Sequence, residues 1–99
     1  TNIKIFDVRK ITSITDFFIV CDASSEPQIK AILNHVSRSL KKKGMRPVNI
    51  EGQDRNDWVL IDYFDFIIHI FSEDKRAFYD IDRLWADAKI THIEDQDEK

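Results

Sequence analysis

Histidine and cysteine are the side chains that most often hold metals or act as nucleophiles, so their spacing is read first. His35, His69 and His92 lie far apart, and Cys21 stands alone beside an apolar run. No Cys or His pair has zinc-ligand spacing, and no metal site is assigned. Cys21 has no activating partner nearby in the sequence, and the chain lacks a Gly-x-Ser-x-Gly elbow. His69 lies between Ile68 and Ile70, which favours a hydrogen-bonded strand histidine. Gly44 and Gly52 stand singly, so no glycine-rich loop offers its N–H groups to a phosphate. Two carboxylate pairs invite a Mg²⁺ reading. Asp80 and Asp82 diverge if they lie on a helix. Asp62 and Asp65 flank a turn and could converge, which keeps a small Mg-dependent nucleotidyltransferase-like enzyme as an alternative. No catalytic residue and no cofactor are assigned.

Binding chemistry has two candidates. Lys41-Lys42-Lys43 with Arg46 could meet RNA phosphates, although lysines also close a helix C-terminus for purely structural reasons, and no exposed-looking aromatic lies nearby to stack a base. Asp57 and Asp62 bracket Trp58-Val59-Leu60-Ile61, and Tyr63 and Asp65 follow. Strand alternation puts Trp58, Leu60 and Asp62 on one face and Val59, Ile61 and Tyr63 on the other. A tryptophan rimmed by carboxylates suits a basic protein partner; the same spacing also suits a core tryptophan.

The elements that would position these groups follow from periodicity. Ile3 to Val8 reads as a strand, and Phe17 to Cys21 is apolar throughout, as in a strand covered on both faces. Ile29, Ile32, Leu33, Val36 and Leu40 recur at helical spacing from about Glu26 to Lys43. Ser25 with Gln28 and Pro27 mark its start, and Gly44 its stop. Pro47 to Glu51, Trp58 to Ile61 and Phe66 to Phe71 read as strands, the last two forming an antiparallel hairpin through Asp62-Tyr63-Phe64-Asp65. From Ser72, Phe78, Ile81, Leu84, Trp85 and Ala88 share one side of a second helix. Residues 90–99 read as an acidic, fraying tail. The expected order is β, β, α, β, β, β, α in a mixed sheet with covering helices.

Ninety-nine residues allow one domain. The chain is 42% hydrophobic and 33% charged with only 2 Gly and 2 Pro, which excludes disorder and low complexity. No run approaches the ~20 apolar residues that span a bilayer. A single cysteine fits a reducing, cytoplasmic setting. The chain opens on Thr1 and enters a strand at once, which suggests a missing N-terminal part. Net charge is −3, but it is divided: Glu26 to Arg46 is basic, whereas Glu51 to Asp65 and the tail are acidic. Such a dipolar surface steers partners.

Taken together, Ser13-Ile14-Thr15-Asp16-Phe17-Phe18-Ile19-Val20-Cys21, Ser24-Ser25 before a helix, Glu51-Gly52, Asp57-Trp58-Val59-Leu60-Ile61-Asp62-Tyr63, Asp65, His69 and Arg76-Ala77-Phe78-Tyr79-Asp80 with Leu84-Trp85 resemble the ribosomal silencing factor family, also called Iojap-related. The ordered match runs from about Ile3 to Asp87. The resemblance implies a single α/β domain of α+β character over residues 1–99, with a mixed sheet of about five strands and two or more helices. That fold is nucleotidyltransferase-like without the catalytic motif. It implies a non-enzymatic, cytoplasmic translation repressor that binds ribosomal protein L-fourteen of the large subunit and sterically blocks subunit joining, often as a homodimer. No membrane and no sequence-specific nucleic acid are implied. The partner-binding candidates are Trp58, Leu60, Asp62, Tyr63, Asp65 and Tyr79. Two departures stand out: Phe64 replaces the family's usual glycine in the hairpin turn, and the family's usual N-terminal helix does not precede the first strand. An RNA-binding module built on Lys41 to Lys43 remains the second alternative.

Overall fold

The computed structural model describes residues 3–54 and 57–93, and the backbone alone at residues 78, 79, 81 and 82. In chain order the elements are β1 (Ile3–Asp7), β2 (Phe17–Ala23), α1 (Glu26–Lys42), β3 (Asn49–Glu51), β4 (Trp58–Asp62), β5 (Phe66–Ser72), α2 (Glu73–Tyr79), α3 (Ile81–Leu84) and β6 (Lys89–Ile93). The strands form one sheet in the order β3-β4-β5-β2-β1-β6. The apolar run at Phe17 explains its centre. β2 pairs in parallel with β5 through seven residues, from Phe17 opposite Phe66 to Ala23 opposite Ser72. The remaining neighbours are antiparallel. The fold is thus a single small α+β domain on a mixed six-stranded sheet.

Because side chains alternate, the sheet builds two cores. Cys21, Ala23, Val59, Ile61, Tyr63, Ile68 and Ile70 meet Ile29 and Leu33 of α1 on one face. Phe6, Val8, Phe18, Val20, Ile67, Phe71 and Ala88 pack on the other. Each fully buried Ile or Val contributes about 2 kcal/mol by leaving water. Helix α1 starts where the sequence predicts. The Ser25 hydroxyl accepts the Gln28 N–H at 3.3 Å, and Gln28 Oε1 accepts the Ser24 N–H at 2.6 Å. At its end, Gly44 takes φ +83° and donates to the Lys41 carbonyl at 2.9 Å, a left-handed stop that suits glycine.

Two expectations are corrected. The apolar stripe from Phe78 to Ala88 is not one helix. Asp80 adopts φ 51°, ψ 48° and ends α2; aspartate tolerates this left-handed conformation better than most residues. Leu84 then points to solvent, while Trp85 and Ala88 return to the sheet. Residues 90–93, read as tail, belong to β6, which pairs with β1 from Ile3 opposite Ile93 to Asp7 opposite Lys89. Every residue of β6 is exposed, so pairing alone holds it and no apolar pattern announces it. Residues 94–99 lie outside the described residues.

Helix α2 is pinned by a buried ion pair. Arg76 Nη1 lies 3.3 Å from Asp22 Oδ2 with both side chains nearly sealed, which ties α2 to the end of β2. Removing one partner strands a charge in a poorly solvated place. Arg76→Ala should therefore destabilise the protein by about 3 kcal/mol, read as a lower urea midpoint. The double variant Asp22→Ala/Arg76→Ala should recover part of that loss. Equal midpoints for Arg76→Ala and the unmodified chain would rule the pin out.

Candidate docking surface

β4 sorts its side chains between the two faces. Val59, Ile61 and the following Tyr63 are 1%, 0% and 6% exposed and face α1. Trp58, Leu60 and Asp62 are half-buried on the opposite face. Tyr63 was expected at the partner surface, and this placement corrects it: its ring is sealed under α1 and stacks on Phe66 at 5.2 Å.

Trp58 is neither wholly core nor wholly exposed. Its ring stacks on Phe71, its cross-strand partner, with centroids 5.0 Å apart and planes at 25°. Its Nε1–H donates to His69 Nδ1 at 3.1 Å. His69 in turn touches the rings of Phe18 at 5.3 Å and Phe71 at 5.9 Å, and Phe18 meets Trp85 at 5.0 Å. The indole N–H is thus spent inside the protein, and what Trp58 offers outward is apolar ring surface. Beside it lies a shallow recess of about 90 Å³ lined by Glu51, Gly52, Trp58 and Leu60.

Gly52 shapes that recess. It sits at φ +85°, and a Cβ built there would fall 2.1 Å from the Trp58 carbonyl oxygen. Only glycine lets the chain after β3 lie this close to the start of β4. The sequence presents Gly52 merely as an isolated glycine; its positive φ and the approach of Trp58 become visible only once β3 and β4 are paired.

One carboxylate, Glu51, lines the recess, and Asp57 and Asp62 stand at the two ends of the strand. Glu51 lies opposite Leu60 in register and its Oε2 accepts from Asn49 Nδ2 at 2.7 Å. Asp57 precedes Trp58, with Lys75 Nζ 4.0 Å away. Asp62 closes the strand, and its Oδ1 accepts the Phe64 N–H at 2.8 Å. That bond builds the turn. Asp65 is exposed at the tip of the hairpin. Among the described residues no group of three or more His, Cys, Asp and Glu side chains is placed to hold a metal ion. Tyr79 ends α2, and its side chain lies outside what is described. Of the expected contact residues, Trp58, Leu60 and Asp62 therefore share a face, Asp65 follows them at the turn, and Tyr63 is turned away. Lys41 to Lys43 stand exposed at the end of α1.

A family model described as "Ribosomal silencing factor during starvation" matches residues 1–99. A ribosomal silencing factor of Halalkalibacterium halodurans is 35% identical over 88 residues, 89% of this chain and 75% of that protein. The chloroplastic protein Iojap of Zea mays is 34% identical over 88 residues, 89% of this chain but 38% of its own length. A crystal structure of a Chromobacterium violaceum protein superposes with a TM-score of 0.80 at 33% identity, covering 95% of this chain and 78% of that one.

The Trp58–His69 bond has a pH signature. Burial holds the imidazole down from its ordinary 6.5 to about 4, because the cation would lose its hydration. Nδ1 accepts a hydrogen bond, so the neutral ring carries its proton on Nε2. The unfolded chain takes up the proton first. Stability is therefore full above pH 6.5 and falls as pH drops towards 4, by about 3 kcal/mol at most. A nuclear magnetic resonance titration of the His69 ring should give a midpoint near 4. A midpoint at the ordinary histidine value would show that the ring is not sealed.

Proposed function

Because the chain belongs to the ribosomal silencing factor family, we propose that it represses translation by docking on the large ribosomal subunit through ribosomal protein L-fourteen and keeping the small subunit from joining. The observation that supports this reading most is the half-buried Trp58 with Leu60 on the same face, Glu51 lining the recess beside them, and Asp57 and Asp62 at the two ends of the strand. An apolar anchor on a strand flanked by carboxylates complements a basic ribosomal protein: the ring supplies contact energy, and the carboxylates supply orientation and approach rate. Asp65 extends that charge to the hairpin tip, and Tyr79 remains a candidate from the neighbouring helix.

The mechanism needs no chemistry. A body of 33 × 32 × 31 Å standing on the joining face excludes the small subunit by its bulk. The required affinity is ordinary: nanomolar binding corresponds to about −12 kcal/mol, and an aromatic hot spot supplies several of those. We read the protein as a non-enzyme acting in the cytoplasm, and the family resemblance extends that reading to a homodimer. Among the described residues no helix is long and apolar enough to cross a membrane.

Trp58→Ala should weaken binding to purified large subunits at least tenfold, measured by co-sedimentation through sucrose. Trp58→Phe, which keeps the stacking on Phe71, should lose less. Wild-type co-sedimentation of a folded Trp58→Ala protein would defeat the proposal.

A further inference from the structure

At the far end of β4 from Trp58, three loops meet and each puts an apolar side chain into water. Phe64 of the β4–β5 turn is 73% exposed, Ile14 of the β1–β2 loop 72%, and Val48 ahead of β3 68%. Hydrogen bonds link the three loops. The Val48 N–H donates to the Asp62 carbonyl at 2.7 Å, Asp62 Oδ1 accepts the Phe64 N–H, and Thr15 Oγ1 donates to the Phe64 carbonyl at 3.0 Å. The Asp16 N–H adds a bond of 3.1 Å to the Asp65 carbonyl. The tip is therefore a braced feature and not a loose loop.

Phe64 is held there against its own preference. It takes φ +75°, and the Asp65 N–H donates back to the Tyr63 carbonyl at 2.9 Å, which makes residues 63–65 a γ-turn with Phe64 at its centre. This form of γ-turn is rare and strained for a residue with a side chain. Glycine would fit the same backbone freely. A bulky ring that strains its turn and stays largely in water contributes little to folding, and such outliers collect where a partner binds.

We infer that Phe64, with Ile14 and Val48 beside it, is a second docking point for the same ribosomal protein surface that receives Trp58, one offering an apolar recess among basic groups. The inference rests on the proposed ribosome docking and names a further residue that sets its affinity. The partner's charge follows from Asp16, Asp62 and Asp65, which lie on the two loops bearing Ile14 and Phe64. The cations of this end are Arg9 and Lys10 on the β1–β2 loop, Arg9 being paired with Asp7 at 2.7 Å, with Arg46 on the third loop and the lysines ending α1. The carboxylates prevail only around the Phe64 turn, between Asp62 and Asp65. Carboxylates next to the ring disfavour RNA phosphates there. Asp62 also joins the two points, since it closes the strand that begins at Trp58 and caps the turn that carries Phe64. The span from Trp58 to Asp62 is about 13 Å at strand spacing, within one standard protein interface.

Phe64→Gly separates binding from folding, because it relieves the turn while deleting the ring. Bound to purified large ribosomal subunits, the variant should lose at least fivefold in affinity while its urea midpoint holds or rises. Phe64→Leu should keep most of the binding. Wild-type affinity for Phe64→Gly would overturn the inference. So would a parallel loss of binding to protein-free ribosomal RNA, which would make the ring a base-stacking platform. Trp58→Ala run alongside distinguishes the two levels. Loss with Trp58→Ala alone overturns the role of Phe64 and leaves the docking face standing. Loss with Phe64→Gly alone supports the tip and removes the Trp58 face.

Discussion

Seven consecutive residue pairs join β2 to β5 in parallel, and the placement of everything else depends on that seam. Parallel neighbours cannot be linked by a tight turn, so the chain between them must cross the sheet and return. Here it does so as α1, then β3 and β4, before β5 comes back alongside. The crossing helix covers one face, and β4 is delivered next to β5 with its alternation already fixed by Ile61 opposite Ile68 and Trp58 opposite Phe71. A shift of one residue along either strand would turn Trp58 under α1 and push Val59 and Ile61 outward.

The opposite face is where folding and function overlap. Phe18, Val20, Ile67 and Phe71 need cover there, and Trp85 and Ala88, in the turn after α3, supply part of it. His69 and Trp58 add to that cover as a hydrogen-bonded aromatic pair. Trp58 thus serves as a wall of the core on its inner side and, in the proposed docking, as a contact surface on its outer side. A residue in that position is fixed in orientation before any partner arrives, which lowers the ordering cost of binding.

Much of this was legible in the residues. The stripe from Ile29 to Leu40 and the Ser25–Gln28 cap declare α1, because a helix carries its own period and its own ends. The alternation from Trp58 to Tyr63 declares which side of β4 is core. Tyr63 itself shows the limit of a motif: it stands within the run that resembles the family, yet the alternation puts it opposite Trp58, and burial follows the alternation. β6 was not legible, because an exposed strand held by pairing leaves no apolar trace. The break at Asp80 was missed for a related reason, since apolar residues on both sides of it keep a helical spacing that only the left-handed aspartate interrupts. The tension at Phe64 was half visible: a bulky residue in a tight turn is odd in sequence, but its positive φ belongs to the folded chain.

Gly52 touches no proposed partner, yet the shape of the recess beside Trp58 depends on an atom it lacks. Replacing its hydrogen by any carbon would force the opening of β4 away from β3 and tilt the indole with it. Saturation mutagenesis scored only by ribosome association would then rank Gly52 with true contact positions, although its part is architectural clearance. Sorting the two kinds of hit requires a companion fluorescence readout of the tryptophan environment in the free protein, where a contact residue remote from the indole, such as Asp65, is silent and a spacer is not.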